Sequence, residues 1–246
     1  MKIHVLGFWG TYPEAGEATT GFLIESGEER ILLDCGSGVL AQLLHICPVE
    51  RLTGVVVTHH HHDHNADLGV LSYALLVARK SGRRTPPVPM YMLPGPKALM
   101  EDLRKEPFIR LHTLTPEAKV TLGGISFSFA QTQHPVPCLA VRAEAAGRVF
   151  AFSADSSLAP ELLRVARGAD LFICEASMFD GQERMAVQAG HLTARQAGQL
   201  AREAECARLA LTHYPHEGDL DLLFQQAEAA FGRPVERLST RQVLEV

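Results

Sequence analysis

Five of the chain's twelve histidines crowd into Thr58-His59-His60-His61-His62-Asp63-His64. Imidazole nitrogens beside a carboxylate, with no thiolate among them, suit zinc, manganese or iron. Affinity tags sit at termini, whereas this run follows the strand-like Gly54-Val55-Val56-Val57 and precedes a helical pattern beginning near Ala66. Side chains alternate at a strand end, so His59 and His61 could reach one ion while His60 and His62 face elsewhere. Asp63 and His64 lie where the chain turns into the helix and could approach a second ion.

Other isolated residues of metal-binding type follow strand-like segments: His134 before Pro135, Asp155 in Ser153-Ala154-Asp155-Ser156-Ser157, and His213 after Leu211-Thr212. Each alone has an ordinary structural reading. His134 suits a loop and Asp155 suits the cap of a turn, while Asp34, before Cys35-Gly36, suits a turn as well.

The elements that must position these groups are short β-branched runs alternating with longer amphipathic stretches, a pattern of sheets covered by helices. Strands are expected over residues 3–6, 20–25, 30–34, 53–58, 88–93, 125–132, 139–144, 149–153, 171–175 and 208–212, and helices over 39–46, 66–80, 95–105, 160–166, 193–205 and 220–231. Thr193 and Gln196 have capping-box spacing, and Pro160 suits a first helical turn. The endings Val57-Thr58-His59 and Leu211-Thr212-His213 echo one another, as two similar halves would.

A chain of 246 residues, 46% hydrophobic and 21% charged, is neither disordered nor fibrous. Its longest nearly uncharged apolar run, 68–78, falls short of the roughly 20 residues that span a bilayer. The opening Met1-Lys2-Ile3-His4 lacks a secretory pattern, so a cytoplasmic location is expected. Five scattered cysteines without a C-x-x-C pair read as reduced thiols. A net charge of −5 lacks the positive field of a general nucleic-acid binder, although a local basic patch at Arg79, Lys80, Arg83 and Arg84 stays open.

Thr58-His59-x-His61-x-Asp63-His64 resembles the T-H-x-H-x-D-H signature of metallo-β-lactamase-fold hydrolases. The resemblance extends in order and spacing from Gly7 and Leu33-Asp34-Cys35-Gly36 through Gln133-His134-Pro135, Ser153-Ala154-Asp155 and Leu211-Thr212-His213. It implies one domain over residues 1–246 with a four-layer αββα fold, α/β (α+β) in class, in which two mixed sheets are sandwiched between helices. By the same resemblance His59, His61 and His134 hold one divalent metal ion, Asp63, His64 and His213 the other, and Asp155 bridges them. Asp34 resembles the acidic residue behind the site that fixes an imidazole tautomer.

Two cations about 3.5–4 Å apart support hydrolysis by a hydroxide held between them. A bridging Asp155 matches branches that cleave phosphodiesters or thioesters, because true β-lactamases of this fold usually lack that acid. Ala189-Gly190-His191-Leu192-Thr193 and Glu175-Ala176-Ser177 resemble loops of ribonuclease Z and related phosphodiesterases, which makes His191 the candidate proton donor. Close to a helix N-terminus it needs a carboxylate to stay protonated, and Glu175 is the candidate. Asp63 could orient the nucleophile as well as bind metal.

The interval between His134 and Asp155 is filled by a predicted hairpin and leaves no room for the tRNA-binding arm of ribonuclease Z. The expected substrate is therefore a small phosphodiester: a cyclic nucleotide, a sugar cyclic phosphate or a short oligonucleotide. A glyoxalase II-like thioesterase, a tRNA 3'-processing ribonuclease and a non-catalytic metal-binding scaffold are the alternatives. Zinc is the favoured metal, with manganese or iron open, and family resemblance implies a homodimer. Leu6-Gly7-Phe8-Trp9-Gly10-Thr11-Tyr12-Pro13 and Tyr214-Pro215-His216 resemble a bacterial subgroup close to ribonuclease Z. Phe8, Trp9 and Tyr12 could stack on a base or sugar, or simply pack together.

Overall fold

Strands that are apolar on both faces need cover on both sides, and the chain provides it with two sheets packed face to face beneath outer helices. The computed structural model describes residues 1–246. In chain order the elements are β1 (Lys2–Gly7), β2 (Gly21–Ser26), β3 (Glu29–Leu33), α1 (Val39–Leu43), β4 (Gly54–Val57), α2 (His62–Asn65), α3 (Leu68–Lys80), β5 (Val88–Met92), α4 (Lys97–Lys105), β6 (Ile109–Thr113), β7 (Lys119–Leu122) and β8 (Ile125–Gln131). There follow β9 (Leu139–Ala145), β10 (Arg148–Phe152), α5 (Pro160–Ala166), β11 (Leu171–Glu175), α6 (Glu183–Ala189), α7 (Ala194–Glu203), β12 (Leu209–Thr212), α8 (Leu220–Phe231), β13 (Glu236–Arg237) and β14 (Val243–Glu245).

The first sheet has the order β14-β1-β2-β3-β4-β5-β6 and the second β13-β12-β11-β10-β9-β8-β7. Both are mixed. In the first, β3 to β6 run parallel beyond antiparallel partners; in the second, β10 to β13 do the same. Period-two alternation decides which side chain faces which layer. Phe22, Ile24, Leu33 and Val56 point inward to meet Phe127, Phe129, Val141 and Phe152 in the shared core. Leu23, Leu32, Val55 and Val57 point outward beneath Leu43, Leu71 and Leu75 of α1 and α3. The Phe22 and Phe152 rings meet edge to face at 5.4 Å across the two sheets. Helices α5, α7 and α8 cover the far side of the second sheet, which completes the expected αββα layering.

Local signals hold where they are strong. Thr193 and Gln196 form the capping box of α7, and Pro160 opens α5. The helix expected over 66–80 begins at Leu68 as α3, whose buried Leu68, Leu71, Leu75 and Ala78 follow helical spacing, and the single turn α2 before it is an addition to the sequence reading. Asp67 stands between them because its carboxylate accepts the Leu40 N–H at 3.0 Å. The expected helix over 39–46 stops at Leu43, and the one over 95–105 begins at Lys97, after Pro96. Strands β6, β7, β13 and β14 and helix α6 are additions to the sequence reading. The histidine-delivering strands of the internal echo occupy different places: β4 is the first parallel neighbour beyond the antiparallel strands of its sheet, β12 the second.

All five cysteines are unpaired and buried. Burial raises the thiols of Cys35, Cys138 and Cys174 well above their ordinary range and that of Cys206 to about 12, which makes them chemically quiet. No helix is long and apolar enough to cross a membrane. Strands β9 and β10 are joined by the two-residue turn Ala146-Gly147, both with positive φ (51° and 75°), so the interval from His134 to Asp155 contains a tight hairpin and no arm. Alanine is strained in that conformation. Ala146→Asn should stabilise the protein by about 0.5–1 kcal/mol, read as a rise in Tm of roughly 1–4 °C by calorimetry.

Candidate metal centre

The site sits where parallel strands of both sheets end, as ligand sites of open α/β sheets do. On the first sheet β3 and β4 lie side by side, so Asp34 and Thr58 leave them as neighbours. The Asp34 carboxylate is fully buried and accepts the Thr58 N–H and Oγ–H, each at 2.8 Å, and the His64 Nδ1–H at 2.7 Å. The Thr58 oxygen in turn accepts His59 Nδ1–H at 3.1 Å. One carboxylate thus fixes two imidazoles and leaves Nε2 of each turned away from it. Burial holds the Asp34 carboxyl above its usual range even with His64 beside it.

The turn α2 then carries Asp63 and His64 back over Cys35 and Gly36. The Cys35 N–H donates to the His64 carbonyl at 2.8 Å. A Cβ on Gly36 would lie 2.0 Å from the Asp63 carbonyl oxygen, so the crossing needs glycine. His60 faces away and donates from Nε2 to the Leu93 carbonyl, and His62 is exposed, both as side-chain alternation predicts.

The second sheet contributes from the ends of β8, β10, β11 and β12. His134 Nδ1–H donates to the Gly190 carbonyl at 2.9 Å, which leaves its Nε2 3.0 Å from His61 Nδ1. His213 Nδ1–H donates to Ser177 Oγ at 2.7 Å, and its Nε2 lies 3.2 Å from Asp63 and 3.4 Å from Asp155. His64 Nε2 is 3.3 Å from Asp155, and His59 Nε2 is 3.6 Å from it.

Two overlapping groups of donors result. His59, His61, His134 and Asp155 form one, and Asp63, His64, Asp155 and His213 the other, the ligand atoms of each lying within 4.8 Å of one another. The family resemblance implies the same seven residues for two ions, with Asp155 between them. His59 Nε2 and His64 Nε2 are buried without any hydrogen-bond partner. Such unpartnered buried nitrogens in a nitrogen- and oxygen-rich pocket fit a divalent cation, which would take the place of any proton they hold.

The electrostatics agree. Burial and the neighbouring charge of His64 keep His59 neutral. Against the cost of burial, Asp155 and Asp34 lift His64 far above its ordinary range, and Asp155 and Asp63 lift His213. Asp63 and Asp155 stay ionised despite burial because His213 and His64 face them. A pocket whose carboxylates hold protons on their neighbours exchanges those protons for cations.

Backbone strain gathers here as well. Of the non-glycine residues with positive φ, Thr11 (63°), Asp34 (59°), Ala154 (49°) and His213 (57°) all flank or belong to the cluster. The Thr11 N–H donates to Asp63 Oδ2 at 2.9 Å, and a Cβ on Gly10 would lie 2.4 Å from His213 Nδ1. The loop after β1 therefore closes directly over the site.

Beside the metal ligands stands a buried pair. His191 Nδ1–H donates to Glu175 Oε1 at 3.0 Å, and the His191 ring lies 4.9 Å from that of His213 and 5.3 Å from that of His134. Burial opposes protonation of His191, but the Glu175 charge and hydrogen bond raise it to about 9. Glu175 is fully buried and also accepts from Ser156 N–H, Ser177 Oγ–H and Leu192 N–H. The sequence reading assigned Ser177 no role. Its spacing two residues after Glu175, at a strand end, is the signal that places both on one side.

The structure places the two groups weighed for recognition as follows. Arg83 pairs with Glu50 at 2.9 Å, Arg84 donates to the carbonyls of Glu50 and Leu52, and Arg79 donates to that of Thr85. These cations tie the end of α3 to its loops, about 20 Å along the helix from the histidine turn. Phe8 is buried in the core, and only Tyr12 of the aromatic trio is exposed.

Comparison with known proteins agrees with this geometry. A family profile described as "Beta-lactamase superfamily domain" matches residues 29–214. A "Probable metallo-hydrolase YhfI" of Bacillus subtilis is 37% identical, the alignment covering 96% of each chain. The crystal structure of the metallo-β-lactamase fold protein YhfI from Bacillus subtilis superposes with a TM-score of 0.94, covering 99% of this chain and 98% of the other. Ribonuclease Z of Myxococcus xanthus is 24% identical over 96% of this chain and 94% of its own. The short form of human tRNase Z shares the fold at a TM-score of 0.79 and 21% identity, covering 100% of this chain and 99% of the other. With its seven convergent histidine and aspartate side chains and a tight hairpin between the third and fourth metal-binding motifs, this chain belongs to the β-lactamase superfamily.

Proposed function

We propose that the protein is a phosphodiesterase that binds two divalent metal ions, zinc foremost, and hydrolyses a small phosphodiester. The observation that carries this reading is the His191–Glu175 pair beside the cluster. Bound at His59, His61, His134 and Asp155 and at Asp63, His64, Asp155 and His213, two cations would supply Lewis acidity and a nucleophile available at neutral pH. The chain's own residues do the rest. Asp34, Thr58, Ser177 and the Gly190 carbonyl hold the imidazoles in their tautomers, and Asp63, fixed by the Thr11 amide, is placed to orient an attacking water. His191, kept protonated by Glu175, donates to the departing alkoxide.

Alkoxide departure sets this reading apart from the thioesterase one, since a thiolate of pKa about 8.5 leaves without a proton. The relatives named ribonuclease Z and the structural neighbour titled a diphosphatase of the PhnP family accord with phosphorus chemistry on this fold. The absence of an arm favours a smaller substrate than precursor tRNA. So does the net charge of −5.

After chelation and reloading with zinc or manganese, the protein should hydrolyse a bis-aryl phosphodiester and cyclic nucleotides, but not a glutathione thioester, a β-lactam or precursor tRNA. Turnover confined to the thioester would overturn the proposal. His191→Ala should lower kcat on substrates with alkoxide leaving groups by roughly 100- to 10,000-fold, with a much smaller loss for an aryl leaving group. Because the folded-state pKa of His191 is raised to about 9, the acid form is present below that pH and lost above it. The kcat profile should fall near pH 9, and Glu175→Gln should move that limb to lower pH. Asp34→Ala should weaken metal affinity by roughly 10- to 100-fold, measured by competition with a chromophoric chelator.

A further inference from the structure

The loop that closes over the cluster carries an aromatic stack that neither the core nor the metal ligands require. The Tyr12 ring lies on that of His216, centroids 3.6 Å apart and planes 4° from parallel. His216 lies in turn on Trp9, at 5.1 Å and 16°. The middle ring is pinned through both nitrogens, Nδ1 to a Glu14 carboxylate oxygen at 2.9 Å and Nε2 to the Gly10 carbonyl at 3.0 Å. Trp9 is pinned through its indole N–H by Glu17. Exposure rises along the stack: Trp9 and His216 are partly buried, while Tyr12 is 54% exposed. With one face of Tyr12 covered by His216, the opposite face is the one left to receive a planar group.

Position gives this ring its meaning. Tyr12 directly follows Thr11, whose amide holds Asp63, and Gly10 lies against His213. A planar group attached to a phosphodiester bound at the cluster is therefore within reach of Tyr12. An exposed aromatic ring held flat costs a planar ligand little further ordering, which is how single-stranded nucleic-acid sites use such side chains. Arginine and lysine are absent from the stack and its anchors. Glu14 is paired with His216 and Glu17 is engaged by the Trp9 indole N–H, so no free cationic side chain is left there to hold additional phosphates.

We infer that Tyr12, backed by His216 and Trp9, is a stacking subsite for the base of a nucleoside phosphodiester carrying a single phosphate. The inference rests on the phosphodiesterase reading and names its substrate class: a cyclic or short nucleotide, in preference to a sugar cyclic phosphate or a polynucleotide.

The test compares kcat/KM for cyclic adenosine phosphate with that for cyclic ribose phosphate, which lacks a base, using metal-loaded protein and its Tyr12→Ala, Tyr12→Phe and Tyr12→Trp variants. Native protein should prefer the base-bearing substrate. Tyr12→Ala should lower that preference by roughly 5- to 150-fold, the range of a lost base–aromatic stack, and the Phe and Trp variants should keep it. A preference that survives Tyr12→Ala, or one lost equally in the Phe variant, overturns the subsite. If native protein cleaves no phosphodiester, the functional reading fails by itself. The subsite is then judged by equilibrium binding of adenosine monophosphate against ribose phosphate, where an affinity ratio unmoved by Tyr12→Ala overturns it too.

Discussion

A carboxylate taken wholly out of water must be met by positive charge or by donors, and Asp155 imposes that demand at the centre of this molecule. Four imidazoles, His59, His64, His134 and His213, lie within 4 Å of its oxygens. Three of them are turned toward it because Asp34, the Gly190 carbonyl and Ser177 take up their other nitrogens, and His59 is turned through Thr58. The second layer of polar groups is therefore as fixed as the first. A cluster so arranged is organised for cations before any arrive, and little rearrangement is left for binding to accomplish.

Most of the scaffold was legible in the sequence because its interior strands bury both faces and so write continuous apolar runs. The four strands that escaped, β6, β7, β13 and β14, are the outer edges of the two sheets. Edge strands pair on one side only, and these alternate in burial or expose most of their residues, as in Lys119–Leu122 and Glu236–Arg237. Their sequences lack the pattern that identifies a central strand. Helix α6 escaped for a similar reason, since only Ala186 of its seven residues is buried.

The site was legible to a different degree at each level. The histidine cluster is legible from residue chemistry alone, and the remaining metal ligands and the His191–Glu175 pairing from resemblance to family motifs. Thr11, Ser156 and Leu192 could not be foreseen, because they act through backbone N–H groups that carry no side-chain signature. The left-handed conformations of Asp34 and His213 are equally silent in the sequence, since neither position is glycine. The basic run ending α3 stayed open in the sequence for the opposite reason: its charges are visible there, but the carbonyls and the Glu50 carboxylate that engage them are not.

The donors divide between the two sheets. His59, His61, Asp63 and His64 follow β4 of the first, while His134, Asp155 and His213 follow β8, β10 and β12 of the second. Cations seated there would rivet the open end of the sandwich, and the thickness of the apolar filling would act as their gauge. The edge-to-face contact of Phe22 and Phe152 is one of the shims that sets this thickness. Tolerances in the greasy interior, far from any polar atom, thus become tolerances in ligand spacing.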